Sequence, residues 1–176
     1  MNKIIVIGSS GAGKTTLAKN LSVTLGIAHT ELDGIFHLKD WQPLNTNIFQ
    51  TRVEEITNQT NWIICGNYFN KLGGEKYLSK ADTVIWCDYS FPVVFSRLLR
   101  RTLKRTITKQ ELWNENKENF IVNFFSKESV LLWMMRAWNE QNRRYGKIFK
   151  ENSLDGTQLV RLRSPKEAVV FLEHIH

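Results

Sequence analysis

Apolar and polar positions follow one another along this chain in two rhythms. Three short uninterrupted runs, Ile4-Ile5-Val6-Ile7, Trp62-Ile63-Ile64-Cys65 and Thr83-Val84-Ile85-Trp86-Cys87, have the length and β-branched content of strands buried on both faces. Elsewhere the apolar positions recur every three or four residues, as at Leu17, Ala18, Leu21 and Leu25, the mark of a helix with one face inward. The pattern predicts strands over Lys3 to Gly8, Ala28 to Leu32, Trp62 to Cys65, Thr83 to Asp88 and Gln158 to Leu162. Helices are predicted from Lys14 to about Leu25, from about Thr46 to Gln59, and over a long region from Phe91 to about Phe149, broken near Thr108 and again near Lys127. Ser164-Pro165-Lys166-Glu167 offers an N-cap serine, a proline at the first helical position and a glutamate three residues after the cap, so a last helix should run from Pro165 to about His174. Strands alternating with helices imply an α/β fold, a parallel sheet with helices on both faces.

The 176 residues fit a single domain spanning 1–176, with neither repeats nor domain linkers. The helical block is long for a simple crossover, so part of it, about 97–150, is expected to project as a helical lid. Cys65 and Cys87, the two cysteines of the chain, each close an apolar run and read as reduced, buried thiols rather than a disulfide or metal pair. No apolar leader and no eighteen-residue apolar stretch occurs, so a cytoplasmic protein without a membrane partner is expected. The formal charge of +7 calls for an anionic partner without naming it. Its distribution says more, because Arg97, Arg100, Arg101, Lys104, Arg105 and Lys109 crowd into one short segment.

The most specific motif lies directly after the first apolar run. Gly8-Ser9-Ser10-Gly11-Ala12-Gly13-Lys14-Thr15 completes G-x-x-x-x-G-K-[ST] between a strand and a helix, the context a phosphate-binding P-loop requires. Glycines let the chain fold back so that successive N–H groups point into one concave space, and the helix N-terminus adds partial positive charge. Lys14 would reach the β- and γ-phosphates, and Thr15 would place its hydroxyl on Mg²⁺.

Ligand crevices in open parallel sheets lie at the carboxyl ends of the strands. Glu31-Leu32-Asp33-Gly34 follows one such strand, where strand alternation puts Glu31 and Asp33 on one side. Asp33 could hold Mg²⁺ through water, accept a hydrogen bond from a substrate, act as general base, or simply form an Asp-Gly turn. Gly66-Asn67-Tyr68 follows another, with Gly66 admitting close approach of a ligand and Asn67 and Tyr68 donating into the crevice; a plain turn is the alternative. Arginines at helical spacing between Arg97 and Lys109 could stabilise charge on a transferring phosphoryl group or form a solvated face. Arg161 and Arg163 could stack on a base or meet phosphate. Trp113, Phe120, Phe124, Phe125, Trp133 and Trp138 are expected to pack the helical appendage. Trp41, in the polar stretch Lys39-Asp40-Trp41-Gln42-Pro43, is expected to line an acceptor pocket.

Taken together, these residues resemble the P-loop kinase group that includes adenylate, shikimate and gluconate kinases. The chain looks closest to small adenylate-kinase-related proteins often labelled DNA topology modulation proteins. The likeness runs through GSSGAGKTT (Gly8 to Thr16), ELDGIFH (Glu31 to His37), Trp41, WIICGNY (Trp62 to Tyr68), ADTVIWCDYS (Ala81 to Ser90), RLLRR (Arg97 to Arg101), ELWNENKEN (Glu111 to Asn119) and VRLRSPKEAVVFL (Val160 to Leu172). It implies a P-loop NTPase three-layer sandwich with a five-stranded parallel sheet. It also implies ATP phosphates on Gly8 to Thr16, an adenine-binding loop near Arg163-Ser164-Pro165, lid arginines Arg97 and Arg101, and Asp33 facing acceptor or metal. Cys65 departs from the pattern, since these relatives usually carry there an aspartate that orders water on Mg²⁺; the metal would then depend on Thr15, the phosphates and Asp33. Glu115 and Lys117 stand where the subgroup commonly has glycine and arginine.

The leading expectation is an ATP- and Mg²⁺-dependent kinase acting on a nucleoside monophosphate or another small metabolite, with Lys14, Asp33, Arg97 and Arg101 at the reaction and Trp41, Gly66, Asn67 and Tyr68 around the acceptor. A nucleic-acid-associated ATPase is the alternative drawn from the charge and the family label, though no DNA-binding motif is recognisable. A nucleotide sensor without chemistry is the third. Acceptor identity and oligomeric state stay open.

Overall fold

The computed structural model of the chain describes residues 1–116 and 130–175, side chains excepted at 130–137. Five strands, β1 (Lys3–Gly8), β2 (His29–Glu31), β3 (Trp62–Cys65), β4 (Thr83–Cys87) and β5 (Gln158–Leu162), form one sheet in the order β2-β3-β1-β4-β5. Every pairing is parallel. Helices α1 (Lys14–Leu25), α2 (Leu32–Phe36), α3 (Thr46–Thr57), α4 (Glu75–Leu78), α5 (Phe91–Thr108), α6 (Val130–Glu151) and α7 (Pro165–Glu173) connect and cover it. This is the α/β P-loop architecture expected from the alternation of elements.

Strand parity decides which residue enters which layer. Ile5, Ile7, Ile64, Val84 and Trp86 point to one face, where they meet Phe49 and Val53 of α3 and Tyr145 and Ile148 of α6. Ile4, Val6, Ile63, Cys65, Ile85 and Cys87 point to the other, against Leu17, Ala18 and Leu21 of α1, Val94 of α5 and Ala168 of α7. Because both faces are covered, β1, β3 and β4 are apolar at consecutive positions, which explains the unbroken runs. Trp62 keeps its indole N–H satisfied by donating to the Thr57 carbonyl at 3.2 Å. Each fully buried large side chain in these layers contributes about 1.5–3 kcal/mol.

Boundaries differ from expectation at informative places. β2 stops at Glu31, and Leu32 opens a short helix with its side chain fully buried. Strand alternation therefore does not reach Asp33, which enters the crevice from the first turn of α2. α3 ends at Thr57 and β4 at Cys87. α5 ends at Thr108, with Lys109 in the left-handed region at φ 48. The helical stretch expected to project over about 97–150 is rooted in the sheet at both ends: Val94 and Leu98 are buried, and Tyr145 and Phe149 pack on Trp86 at 6.0 and 5.3 Å. The cap at α7 forms as read, with Ser164 Oγ accepting from the Glu167 N–H at 3.2 Å. The break expected near Lys127, together with Lys117, Phe120, Phe124 and Phe125, lies outside the described residues, as does the side chain of Trp133. Among the described residues no helix is long and apolar enough to cross a membrane.

Gly66 shows how tightly β3 is fitted to α2. Its φ is +151, and a Cβ there would stand 2.8 Å from the Leu32 Cβ, so the absence of a side chain is what admits Leu32. Gly66→Ala should destabilise the fold by about 1–3 kcal/mol through overpacking, read as a lower urea midpoint at unchanged slope.

Candidate active site

β1 ends at the middle of the sheet, and the P-loop begins where it ends. Asn67, at the end of the neighbouring strand, grips that junction: its Oδ1 accepts from the Gly8 N–H at 3.2 Å and its Nδ2 donates to the Gly8 carbonyl. Gln141 of α6 ties in the same group, accepting from Ser9 Oγ at 3.3 Å and Asn67 Nδ2 at 3.2 Å. Asn67, expected to donate into the crevice, thus spends its amide on the loop itself. Gly11 lies against α5, where a Cβ would meet the Val94 carbonyl at 2.6 Å, so only glycine fits there. Gly8, Ser9 and Ala12 form the underside, while Ser10, Gly11, Gly13, Lys14, Thr15 and Thr16 face the cavity.

Lys14 lies along the loop with Nζ donating to the Ser9 carbonyl at 3.1 Å. Burial holds its ammonium below the ordinary lysine range, and the nearby Asp33 opposes that shift. Phosphate oxygens beside the ammonium would favour its charged form. Thr15 Oγ1 donates to Glu31 Oε2 at 3.2 Å and stands 4.0 Å from Cys65 Sγ. Glu31 and Cys65 are register partners across β2 and β3. A carboxylate thus stands beside Thr15 one strand over from Cys65, where Glu31 also meets Lys19 at 3.6 Å.

The part of the cavity beyond the P-loop is built on Asp33. Tyr68 Oη donates to Asp33 Oδ1 at 2.7 Å and stands 3.3 Å from His37 Nε2. Burial, with Asp33 beside it, pushes the Tyr68 phenol far up, so it stays a donor. His37 is boxed edge-on by Phe36 at 5.2 Å and Trp41 at 5.4 Å. Trp41 itself is partly exposed and lines the cavity.

Two loops with the same backbone close this end. Residues 38–42 and 112–116 each hold a short 3₁₀ turn, with Leu38 N–H donating to the Gln42 carbonyl and Leu112 N–H to the Asn116 carbonyl, both at 2.8 Å. Asp40 and Trp41 in one, Asn114 and Glu115 in the other, sit in the left-handed region. The loops clasp each other: Asn116 Oδ1 accepts from the Trp41 N–H at 2.9 Å, its Nδ2 donates to the Leu38 carbonyl at 2.8 Å, and Asn114 Nδ2 donates to the His37 carbonyl. Trp113, expected to pack a helical appendage, instead lies over Gly34 and lines the cavity. Trp138 does pack as expected, edge-on to Phe91.

Arg97, Arg101 and Arg105 recur every fourth residue on α5 and all line the cavity, forming a ladder about 12 Å long. Arg97 reaches the P-loop end, beside Gly13 and over the Tyr89 ring at 5.6 Å. Lys71 and Arg144 line the cavity as well. The cavity measures about 1640 Å³, above the range of about 300–1,000 Å³ usual for one small ligand, so it has room for two. Seven lysines and arginines against three carboxylates line it, an excess suited to polyanions. Pro165 and Ala168 reach its rim, whereas Arg163 and Ser164 are not among the lining residues. Arg161, expected near a base or phosphate, is taken up by Asp88 at 2.8 Å and stacks on Trp86 at 4.7 Å.

No family model matches the chain. A shikimate kinase of Sulfurihydrogenibium sp. (strain YO3AOP1) is 26% identical over 136 residues, 66% of this chain and 81% of that one. Among solved structures, shikimate kinase from Acinetobacter baumannii in complex with shikimate superposes with TM-score 0.61 at 13% identity, covering 98% of this chain and 89% of that one. Shikimate kinase from Bacteroides thetaiotaomicron gives 0.60 at 14% identity, over 97% and 93%. A gluconokinase from Sinorhizobium meliloti 1021 gives 0.53 at 16% identity, over 98% and 91%. The fold is that of the P-loop kinases.

Cys65 and Cys87 are free and buried, and burial pushes their thiols up to about 11 and about 12. A raised thiol value means less thiolate at a given pH, on the order of one in a thousand or fewer at pH 8. Native protein should therefore react with a thiol reagent at pH 8 far more slowly than protein unfolded in guanidinium, where both cysteines titrate at once.

Proposed function

We propose that the chain is an ATP-dependent phosphotransferase of the adenylate-kinase-related kind, passing the γ-phosphoryl group of ATP to a hydroxyl or phosphoryl oxygen of a small-molecule acceptor. The observation that carries this reading is the continuity of one cavity from the P-loop, through Asp33, to the Trp41 and Trp113 end. The finer kinship rests on the Gly66-Asn67-Tyr68 and Glu111-Leu112-Trp113 segments. In this reading the amides of Ser10 to Thr16 and Lys14 bind the β- and γ-phosphates, Arg97 and Arg101 neutralise charge on the group in transfer, and the nucleoside extends toward Pro165 with Arg163 and Ser164 at its edge. Trp41 and Tyr68 enclose the acceptor.

Mg²⁺ suits the residues present. The Thr15 hydroxyl and Glu31 carboxylate, 3.2 Å apart, are hard oxygen donors of the kind that hold it directly or through water, and the ion would supply charge neutralisation between the β- and γ-phosphates. Asp33 takes the proton of an acceptor hydroxyl as the new bond forms between that oxygen and the γ-phosphorus. The bond from phosphorus to the β–γ bridging oxygen breaks, and ADP leaves with its electron pair. Positioning and charge account for most of such a reaction.

A duplex-binding ATPase is the weaker reading, because three side chains of the basic segment, Arg97, Arg101 and Arg105, line the same cavity as the P-loop.

The test is ADP formation from MgATP across a panel of nucleoside monophosphates, sugars and hydroxy acids. Turnover is expected with one acceptor class above background hydrolysis, and Lys14→Ala should lower it roughly a hundred-fold or more. Glu31→Gln should raise the Mg²⁺ concentration needed for half-maximal rate while leaving the rate at saturating metal less affected. Absence of turnover with every acceptor, ATP binding being intact, would leave a nucleotide sensor.

A further inference from the structure

The acceptor side holds a hydrogen-bond chain whose direction the structure fixes. Tyr68 has one hydroxyl proton, and the shorter contact, 2.7 Å to Asp33 Oδ1, takes it. At 3.3 Å from His37 Nε2, the phenolic oxygen is then left to accept. The other imidazole nitrogen decides the tautomer. His37 Nδ1 is buried without a hydrogen-bond partner, and an N–H there would be an orphaned donor, costlier than an idle lone pair inside apolar walls. The proton therefore sits on Nε2. The chain reads His37 Nε2–H to Tyr68 Oη–H to Asp33 Oδ1, each bond polarising the next.

We propose that His37 and Tyr68 are positioning residues for the phosphoryl transfer: the relay pins Oδ1 of Asp33 and leaves Oδ2 turned to the acceptor hydroxyl. Its catalytic meaning rests on the phosphotransferase reading; its geometry does not. Neither residue touches the reacting atoms. Tyr68 holds the carboxylate, and His37 acts only through Tyr68. The His37 ring lies edge-on to Trp41 at 5.4 Å, and the main chain of His37 is held by Asn114, so the relay is fixed at the end remote from the P-loop. An acceptor seated against Trp41 thus meets a base whose orientation is set before it arrives, the preorganisation that transfer by positioning requires.

The geometry is tested without any acceptor. In the ¹⁵N spectrum of the full-length protein at pH 8, with the imidazoles assigned by His37→Gln, His37 should show a protonated Nε2 and a bare Nδ1. Tyr68→Phe should return it to a mixture of tautomers. An Nδ1-protonated His37, or a spectrum that Tyr68→Phe leaves unmoved, overturns the relay. Kinetics with MgATP and the acceptor returned by the panel test its use. Tyr68→Phe and His37→Leu should each lower kcat roughly ten- to hundred-fold, the worth of a hydrogen bond to a charged group, with little change in acceptor KM. His37→Gln, which can present an N–H near the Nε2 position, should recover most of the loss, and the double variant Tyr68→Phe/His37→Leu should be no slower than Tyr68→Phe alone. Additive losses would mean that the two act separately, against the proposal. Circular dichroism excludes misfolded variants. Full turnover by Asp33→Asn would instead remove Asp33 as base, a failure of the phosphotransferase reading that the tautomer measurement does not share.

Discussion

The grip of Asn67 on both backbone groups of Gly8 is the interaction on which the site depends. A loop rich in glycine has many conformations to lose, and a phosphate cradle is useful only when that loss has been met in advance. Here it is met by tertiary contacts: Asn67 at the first glycine, Gln141 on Ser9, and the Val94 carbonyl pressed against Gly11. Each comes from a different element, so the cradle is assembled only when β3, α5 and α6 have docked. Binding geometry and folding cooperativity are in this way the same property.

The two ends of the cavity solve different electrostatic problems. At the P-loop, Lys14 is drawn out of water and Arg97 stands beside Gly13, an arrangement of positive charge that favours an anion. At the far end the interactions are directional hydrogen bonds, Tyr68 donating to Asp33 at 2.7 Å. The first is an environment for charge neutralisation and the second one for orientation. Between them, the Glu31 carboxylate stands 3.2 Å from the Thr15 hydroxyl.

What the sequence made legible was local. The P-loop is a contiguous motif whose meaning lies in its own backbone, and β1, β3 and β4 are unbroken apolar runs because both their faces are covered. The Ser164 cap is equally local and formed as read. Misreadings arose where meaning is carried across the chain. Strand alternation was extended through Asp33, whereas packing of Leu32 under Gly66 turns the chain into a helix first. The bonds of Asn67 to Gly8 could not be read locally, because the two lie 59 residues apart. His37 was quoted only as part of a motif, and Gln141 went unnoticed, since nothing near either hints at Tyr68 or Ser9. Trp113 was assigned to the helical core by its spacing, while the left-handed turn that follows it carries the indole to the cavity.

The paired turns at 38–42 and 112–116 bear on how this site can change over evolutionary time. Surface loops ordinarily absorb insertions and deletions with little harm. These two cannot do so singly, because each is the template on which the other is held, through Asn116 and Asn114 and through four residues kept in the left-handed region. Lengthening either would strand the other's amide partners. A descendant with a new acceptor would therefore be reached by exchanging side chains on a frame of constant length, with the indoles at 41 and 113 as the first positions to vary.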